Sequence, residues 1–517
     1  MRIKALLLMA LCFGVQSIVH GQQLSDNSEQ DNLQFYKVPP RKEVRHRITS
    51  DGSQDEEYNS MQRASGEYIT NEFPTTGEIR GIVILAAFAD VPFSTDTIST
   101  LLTNRFSADN YTEEINIKRN SDIYGYISLE CTIPGSARDY FRAQSFGQFV
   151  PSFDIVGPVT LDQKRSYYGG NNSSGNDKNT SAMIKEACQK AYDLGLTDFT
   201  DYDNDGDGIV DFVYVVYAGC DESQTGFSDA IWSKSSTISL TLENKMKFGR
   251  YACSGELLID LPIVAGIGTL VHEFSHVLGL PDFYNTKIED FTMDMWSIMD
   301  YGMYNAEGFI PCSYTAFERY SLGWIPMHTL DAPTTMSIGT TDEEHKGFRI
   351  FTSETGADTT SFYLLETIRK ESWNQYAPAN GLLISEVTYL KSAWKSNIVN
   401  TGTHHRHCIV PADNNYSYKT ANKHLFGTEN QEFSLTTTPS SRTQFGVAMD
   451  KPLTDINYDE QTGKTTFHFC GGSITDGLDD IRNQKSEFSV YYDLLGRPVS
   501  QPSRGLYIQN GKKYLTF

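Results

Sequence analysis

The residues best suited to chemistry lie in one short run, in which His272, Glu273 and His276 form the pattern H-E-x-x-H. On a helix the two histidines lie on one face, one turn apart, where their imidazoles can bind a single zinc ion. The glutamate then lies beside an open coordination position, as a general base for water requires. This spacing predicts a hydrolytic zinc site in which Glu273 is the catalytic acid and base.

The residues that follow strengthen this prediction. Gly279 tolerates a positive φ and can end the helix, so that the chain turns back on itself. Asp282 then supplies a carboxylate that can act as the third zinc ligand. The third ligand could instead come from elsewhere in the chain, and Glu318 in a later predicted helix is one such alternative.

A second run, W-S-I-M-D-Y-G, contains Met299 and Tyr301 and resembles the methionine turn of metzincin-type zinc peptidases. Together with the H-E-x-x-H run and the segments S-A-R-D-Y-F and N-G-L-L-I-S-E-V, it resembles the immune inhibitor A-like secreted metallopeptidases of bacteria. The resemblance implies a zinc-dependent endopeptidase that cleaves extracellular proteins or peptides. It also implies that Met299 forms an apolar floor beneath the metal and that Tyr301 reaches the zinc or the transition-state oxyanion.

The resemblance further implies an α+β fold, with a metzincin-like catalytic domain built from a twisted mixed sheet, an active-site helix and the methionine turn. A β-rich domain is expected to follow, because residues 327–470 alternate strand-length segments with turn clusters. Members of the family often carry a histidine at the position of Glu386, so the role of that position stays open.

Two other functions stay open. The chain could be an inactive, surface-bound adhesin or binding protein that retains a structural metal site, although such a site would not need Glu273 beside an open position. It could also be a zinc hydrolase that acts on a substrate other than a peptide. Only the family resemblance argues against the latter.

An acidic run, D-Y-D-N-D-G-D-G-I-V-D, precedes the catalytic helix. Asp203, Asp205, Asp207 and Asp211 offer carboxylate oxygens at a spacing that calcium loops use, and the glycines permit the tight turns. The run is not an EF-hand, because no glutamate occupies the twelfth position. We expect a structural Ca²⁺ site, and the alternative is a solvated turn before a strand.

Several segments should position the catalytic helix. Residues 80–90 form a dense apolar run that predicts the first buried strand. Helices are predicted at residues 97–105, 136–144 and 180–194, with Ser136 as the N-cap of the second. A strand is predicted at residues 209–217 and a short closing helix at residues 314–324.

Composition excludes other classes of protein. The formal net charge of −22 repels phosphate backbones, so nucleic acid is not an expected partner. After the N-terminal segment, no apolar run reaches the length of about 18 residues that a membrane-spanning helix requires. Of the eight cysteines, Cys12 falls in the predicted signal peptide, and the rest show no C-x-x-C spacing. In an exported chain six of these could pair.

The predicted organisation has five parts. They are a signal peptide (1–21), a leader or activation segment (22–77), the catalytic domain (78–326), the β-rich domain (327–470) and a hinge with a C-terminal tail (471–517). The tail contains a predicted hairpin at Asn510-Gly511 and resembles the sorting tails of type IX secretion, which implies contact with secretion machinery. We therefore expect a secreted or cell-surface protein.

A histidine cluster, H-H-R-H, contains His404, His405 and His407. It could be a second metal site, but adjacent histidines around Arg406 fit an exposed loop better.

Overall fold

The computed structural model describes residues 73–196, 198–243, 246–352 and 360–472, together with the backbone of four short strands between residues 491 and 516. The predicted signal peptide and almost all of the predicted leader lie outside these residues.

The first half of the chain supplies eight strands, six of which form one sheet. The strands are β1 (Gly77–Ala87), β2 (Glu113–Ser121), β3 (Gly125–Ile133), β4 (Phe149–Thr160), β5 (Ile209–Val210), β6 (Val213–Cys220), β7 (Lys234–Thr241) and β8 (Lys247–Leu257). The sheet order is β4-β1-β6-β8-β5 with parallel neighbours, and β7 pairs antiparallel with β8. The sheet is therefore mixed, as predicted, while β2 and β3 form a separate hairpin.

The helices agree closely with the sequence predictions. They are α1 (Ile98–Ser107), α2 (Ala137–Gln144), α3 (Arg165–Tyr168), α4 (Thr180–Asp193), α5 (Glu222–Thr225), α6 (Gly268–Val277), α7 (Ala316–Ser321), α8 (Thr341–Glu344) and α9 (Lys391–Lys395). Ser136 caps α2 as predicted, and it forms a capping box with Asp139. The strand predicted at residues 209–217 is interrupted, so that β5 and β6 replace it.

Helices cover both faces of the six-stranded sheet. Residues of β1 from Ile82 to Ala86 have no exposed surface, as expected for a parallel strand between two layers. On one face, α4 packs against β1. On the other, Phe274 of α6 makes edge-on contacts with Phe153 of β4 and with Phe212, which precedes β6, at 5.3 and 5.0 Å between ring centroids. These contacts orient α6.

The part of the chain from residue 327 to residue 469 forms two sheets. Its strands are β9 (Met327–Thr329), β10 (Thr334–Ile338), β11 (Gly347–Phe351), β12 (Ser361–Ile368), β13 (Gly381–Thr388), β14 (His407–Ile409), β15 (Leu453–Asp459) and β16 (Lys464–Phe469). Five strands have the order β14-β13-β12-β11-β9, and three have the order β10-β16-β15. One face of the larger sheet, with Phe362 and Leu383, shares a core with α6, and the other face packs on the smaller sheet. The β-rich half is therefore packed directly onto the half that carries α6.

Near the C-terminus, β17 (Tyr491–Tyr492), β18 (Pro498–Val499), β19 (Gly505–Gln509) and β20 (Lys512–Thr516) form a small sheet. Gln509 pairs with Lys512 across β19 and β20, which confirms the predicted hairpin. All seven cysteines outside the predicted signal peptide are free, so the six that could have paired in an exported chain do not form disulfides here. Within the described part of the chain, no helix has the length and apolar character needed to cross a bilayer.

Candidate metal centre

The helix α6 holds His272, Glu273 and His276 on the face opposite Phe274. His272 and Glu273 are buried, and His276 is almost so. Gly279 has a φ of +102°, a conformation that favours glycine, and ends the helix as predicted. Two backbone hydrogen bonds close this turn, from Gly279 N to His276 O and from Leu280 N to Ser275 O. The chain therefore returns across the histidines.

This return brings Asp282 to both imidazoles. Its Oδ1 atom lies 3.2 Å from Nε2 of His272 and 3.2 Å from Nε2 of His276. The Nδ1 atoms lie 2.8 Å from the carbonyl oxygens of Ile298 and Leu280. A carbonyl oxygen can only accept a hydrogen bond, so Nδ1 carries the proton in a neutral ring and the Nε2 lone pair faces Asp282.

The three side chains fit a zinc ion. Tetrahedral ligands about 2.0–2.1 Å from the metal are about 3.3 Å apart, close to the two observed separations of 3.2 Å. Two nitrogens and one carboxylate oxygen are donors that zinc accepts in catalytic sites with one open position. Burial lowers the pKa of His276, but the charge of Asp282 outweighs this and raises it to about 9. Positive charge is therefore favoured between the two groups.

Glu273 is buried beside these ligands. Its Oε2 atom has no hydrogen-bond partner among the described residues. Burial raises the pKa of its carboxyl to about 7, although the two neighbouring imidazoles lower it. A carboxyl with this pKa can both accept and release a proton near neutrality.

The turn around Met299 forms hydrogen bonds with both α6 and the returning chain. Met299 is fully buried, and its carbonyl oxygen accepts a hydrogen bond from Phe283 N at 2.8 Å. The preceding Ile298 accepts the bond from His272 described above. The turn therefore holds both the first histidine and the segment that carries Asp282.

Glu318 is fully buried but does not face the imidazoles. Its carboxylate accepts hydrogen bonds from Ser297 Oγ at 2.5 Å and from Thr315 N at 2.6 Å. It thus caps α7 and supports the turn around Met299. Of the two alternative ligands, it is Asp282 that lies next to the histidines.

Tyr284 and Tyr304 lie near this cluster, and Tyr301 lies beside Tyr304. Tyr301, which the sequence singled out, begins a 3₁₀ helix (Tyr301–Gly308), and its ring lies 6.1 Å from that of Tyr304. Burial, Asp221 and Glu273 raise the pKa of Tyr304. The ring of Tyr284 stacks on His272 at 6.3 Å. No sequence pattern assigned a role to Tyr284 or Tyr304.

The acidic loop follows a 3₁₀ helix (Thr200–Tyr202) and leads into β5, and Asp211 comes directly after β5. Asp203, Asp205 and Asp211 converge with carboxylate oxygens within 4.8 Å of one another, whereas Asp207 is not part of this group. Asp203 accepts hydrogen bonds from three backbone N–H groups of the loop, at 2.9 to 3.0 Å. Burial raises the pKa of Asp211 to about 6.

The expectation of an exposed loop at the histidine cluster is wrong for two of its members. His405 and His407 are buried, and only His404 is exposed. His405 Nε2 lies 2.8 Å from Asp290 Oδ2. His407 packs edge-on against Phe283 at 4.5 Å, and burial lowers its pKa to about 4. Their burial follows from the packing of β14 against the segment after Asp282, which sequence spacing cannot show.

The β-rich half also reaches the candidate metal ligands. Asn397 and Asn400, which follow α9, form hydrogen bonds with Asp282 and Phe283. Neither residue could be predicted from the sequence, since an isolated asparagine more than one hundred positions from the motif carries no signal.

Comparisons with known proteins agree with this geometry. The family model for the immune inhibitor A peptidase M6 catalytic domain matches residues 74–325. The pre-pro-metalloprotease PrtV of Vibrio cholerae serotype O1 is 24% identical over 273 residues, which cover 47% of this chain and 29% of that protein. Immune inhibitor A of Bacillus thuringiensis subsp. alesti is 28% identical over 211 residues, or 34% of this chain and 30% of that protein. The chain thus spans less than a third of the length of either relative.

Proposed function

Since residues 74–325 match the immune inhibitor A peptidase M6 catalytic domain, we propose that the protein is a zinc-dependent endopeptidase acting on extracellular proteins or peptides. The catalytic domain is proposed to be metzincin-like, with α6 and the turn around Met299 as its central parts. Because the matched relatives are much longer, the activity of the whole protein is part of this proposal.

His272, His276 and Asp282 would hold the zinc ion, with their ligating atoms already directed at one another. Bound there, zinc would act as a Lewis acid that lowers the pKa of a water and polarises the peptide carbonyl. The chain itself orients the ligands, through the carbonyl groups that fix both imidazoles.

Glu273 moves the protons. As a base it takes a proton from the attacking water, and as an acid it delivers a proton to the leaving amine nitrogen. A pKa near 7 suits both directions of transfer. Tyr301 is proposed to donate a hydrogen bond to the oxyanion.

The observation that carries the proposal is the convergence of Asp282 on both Nε2 atoms beside a buried Glu273 carboxylate oxygen that has no partner among the described residues. The same oxygen argues against an inactive binding protein, since a structural metal site would gain nothing from this costly burial.

The test uses purified protein that begins near residue 22 or near residue 78. We expect about one zinc per chain, cleavage of casein or gelatin, and loss of cleavage on chelation. Glu273→Ala should keep the zinc but lower the rate by about 10²–10⁴-fold. Zinc-loaded protein that cleaves nothing, or a Glu273→Ala variant that cleaves as fast as the parent, would refute the peptidase.

A structural Ca²⁺ ion in the acidic loop is a second part of the proposal. Its support is the convergence of Asp203, Asp205 and Asp211, since three close carboxylates repel one another without a cation. The effect of calcium on the melting temperature tests it.

Export is the third part. We propose that the signal peptide directs the chain out of the cytoplasm and that the C-terminal tail contacts secretion machinery. Expression in a host with type IX secretion should release the protein into the medium, and removal of residues 471–517 should prevent release. Equal release of the truncated chain would eliminate the sorting role of the tail.

A further inference from the structure

Asn397 belongs to the loop that follows α9, in the β-rich half of the chain. Its side chain is buried beside Asp282 of the metal centre. Its Nδ2 group donates to Asp282 Oδ2 at 2.6 Å, and its Oδ1 atom accepts from Asp282 N, also at 2.6 Å. The two residues therefore form a reciprocal pair 115 positions apart in the chain.

This pair fixes the rotation of the carboxylate. With Oδ2 held by Asn397, the other oxygen, Oδ1, points at both imidazoles. A backbone N–H can only donate and a carboxylate oxygen can only accept, so the amide of asparagine meets both requirements with one side chain. Aspartate has the same shape but lacks the donor.

Neighbouring contacts hold the same segment. Asn400 is fully buried and donates from Nδ2 to the carbonyl oxygens of Phe283 and His407, both at 2.6 Å. Its Oδ1 atom accepts from His407 N at 2.9 Å. The segment after Asp282 thus lies between the methionine turn and the β-rich half, with hydrogen bonds to each.

From this geometry we infer that Asn397 is a positioning residue for the third metal ligand, so that the β-rich half builds one side of the metal site. The inference rests on the proposed zinc site. It predicts that loss of the Asn397 side chain weakens zinc binding about 10–100-fold, as loss of hydrogen bonds to metal ligands does elsewhere.

The test compares three variants of the full chain. Asn397 has a φ of +52°, so Asn397→Gly removes the amide without strain from a new side chain. Asn397→Asp keeps the acceptor but places a carboxylate against that of Asp282. Asn414→Gly is the matched control, because Asn414 has a φ of +54° and is exposed.

Zinc dissociation constants are measured by competition with a chromophoric chelator, and circular dichroism checks the fold. The visible spectrum of the Co²⁺-loaded protein provides a readout that a general loss of stability would not change. Both variants at Asn397 should bind zinc about 10–100-fold more weakly and alter the Co²⁺ spectrum, while Asn414→Gly matches the parent.

If both Asn397 variants bind zinc within about twofold of the parent's affinity, the inference is overturned. The proposed function would still stand in that case, because the parent binds zinc. An equal loss of zinc affinity in Asn414→Gly would overturn the inference as well. The loss would then come from introducing a glycine and not from removing the Asn397 side chain. A parent that binds no zinc would instead overturn the proposed function, and this inference with it.

Discussion

The two clusters of candidate metal ligands are built in opposite ways. At the buried site, a hydrogen bond holds Nδ1 of His272, Nδ1 of His276 and Oδ2 of Asp282. The other nitrogen or oxygen of each side chain is the ligating atom, and these three atoms face one another. In the acidic loop, both carboxylate oxygens of Asp203 accept backbone N–H groups of the loop itself, and Asp205 is exposed.

This difference bears on what each cluster needs from a cation. The ligating atoms of His272, His276 and Asp282 are largely buried and face one another, so these three ligands gain strongly from an ion placed between them. In the loop, backbone N–H groups already donate to Asp203 and the carboxylate of Asp205 is exposed, so this cluster gains less from an ion. A cation should therefore be essential for function at the first cluster and add only stability at the second.

The largest expected effect comes from removing one candidate ligand from the buried cluster, compared with removing one from the acidic loop. His276→Ala should reduce both bound zinc and peptide cleavage to background, because two ligands cannot hold the ion in an open site. Asp205→Ala in the loop is the matched variant and should change neither. Metal analysis and a casein assay check this, and full zinc occupancy in His276→Ala would contradict it.

A smaller effect is expected at Tyr301. Tyr301→Phe removes the proposed oxyanion donor and should lower kcat by about 10²–10³-fold, with bound zinc unchanged. Tyr304→Phe is the control, since its ring is next to Tyr301. If kcat falls by this factor in Tyr304→Phe but not in Tyr301→Phe, the oxyanion donor is Tyr304 and not Tyr301.

Calcium should affect only stability. At about 100 times its dissociation constant it would stabilise the fold by about 2.7 kcal/mol, or a few degrees in melting temperature. Asp205→Ala should abolish this shift, whereas Asp207→Ala should keep it because Asp207 is outside the cluster. Calorimetry with and without calcium measures both. If calcium changes the rate of peptide cleavage, the cation in the acidic loop does more than stabilise the fold, and the proposed difference between the two clusters is wrong.

The smallest effect concerns Glu318, which supports the methionine turn. Burial raises the pKa of its carboxyl from 4.5 to about 7, although Ser297 lowers it. A raised pKa in the folded state means that stability is greatest below pH 4.5 and is lost as the pH rises to about 7.

Relative to Glu318→Gln, the metal-free parent should therefore lose about 1–3 kcal/mol of unfolding free energy between pH 5 and pH 8. Urea unfolding at the two pH values measures this difference. Parallel losses in parent and variant would show that Glu318 does not titrate in this range.

Several features of the site could be predicted because they depend on near neighbours in the sequence. The spacing of His272 and His276 places them on one helical face, and Gly279 ends that helix through its own backbone freedom. The N-cap at Ser136 was predictable for the same reason. In each case the residues that interact are no more than a few positions apart.

Other features depended on how distant segments pack. The sequence left Asp282 and Glu318 as alternative ligands, because choosing between them requires the path of the chain after α6. It also placed His407 on an exposed loop, while β14 buries it against Phe283.

By itself, then, the sequence determined the helix, its two histidines and the glutamate between them, since local periodicity and turn chemistry specify these. Only the tertiary structure decided which carboxylate meets the imidazoles and that Asn397 orients it. The physical reason is that this orientation rests on hydrogen bonds between residues 115 positions apart, and these exist only once the β-rich half has packed against α6.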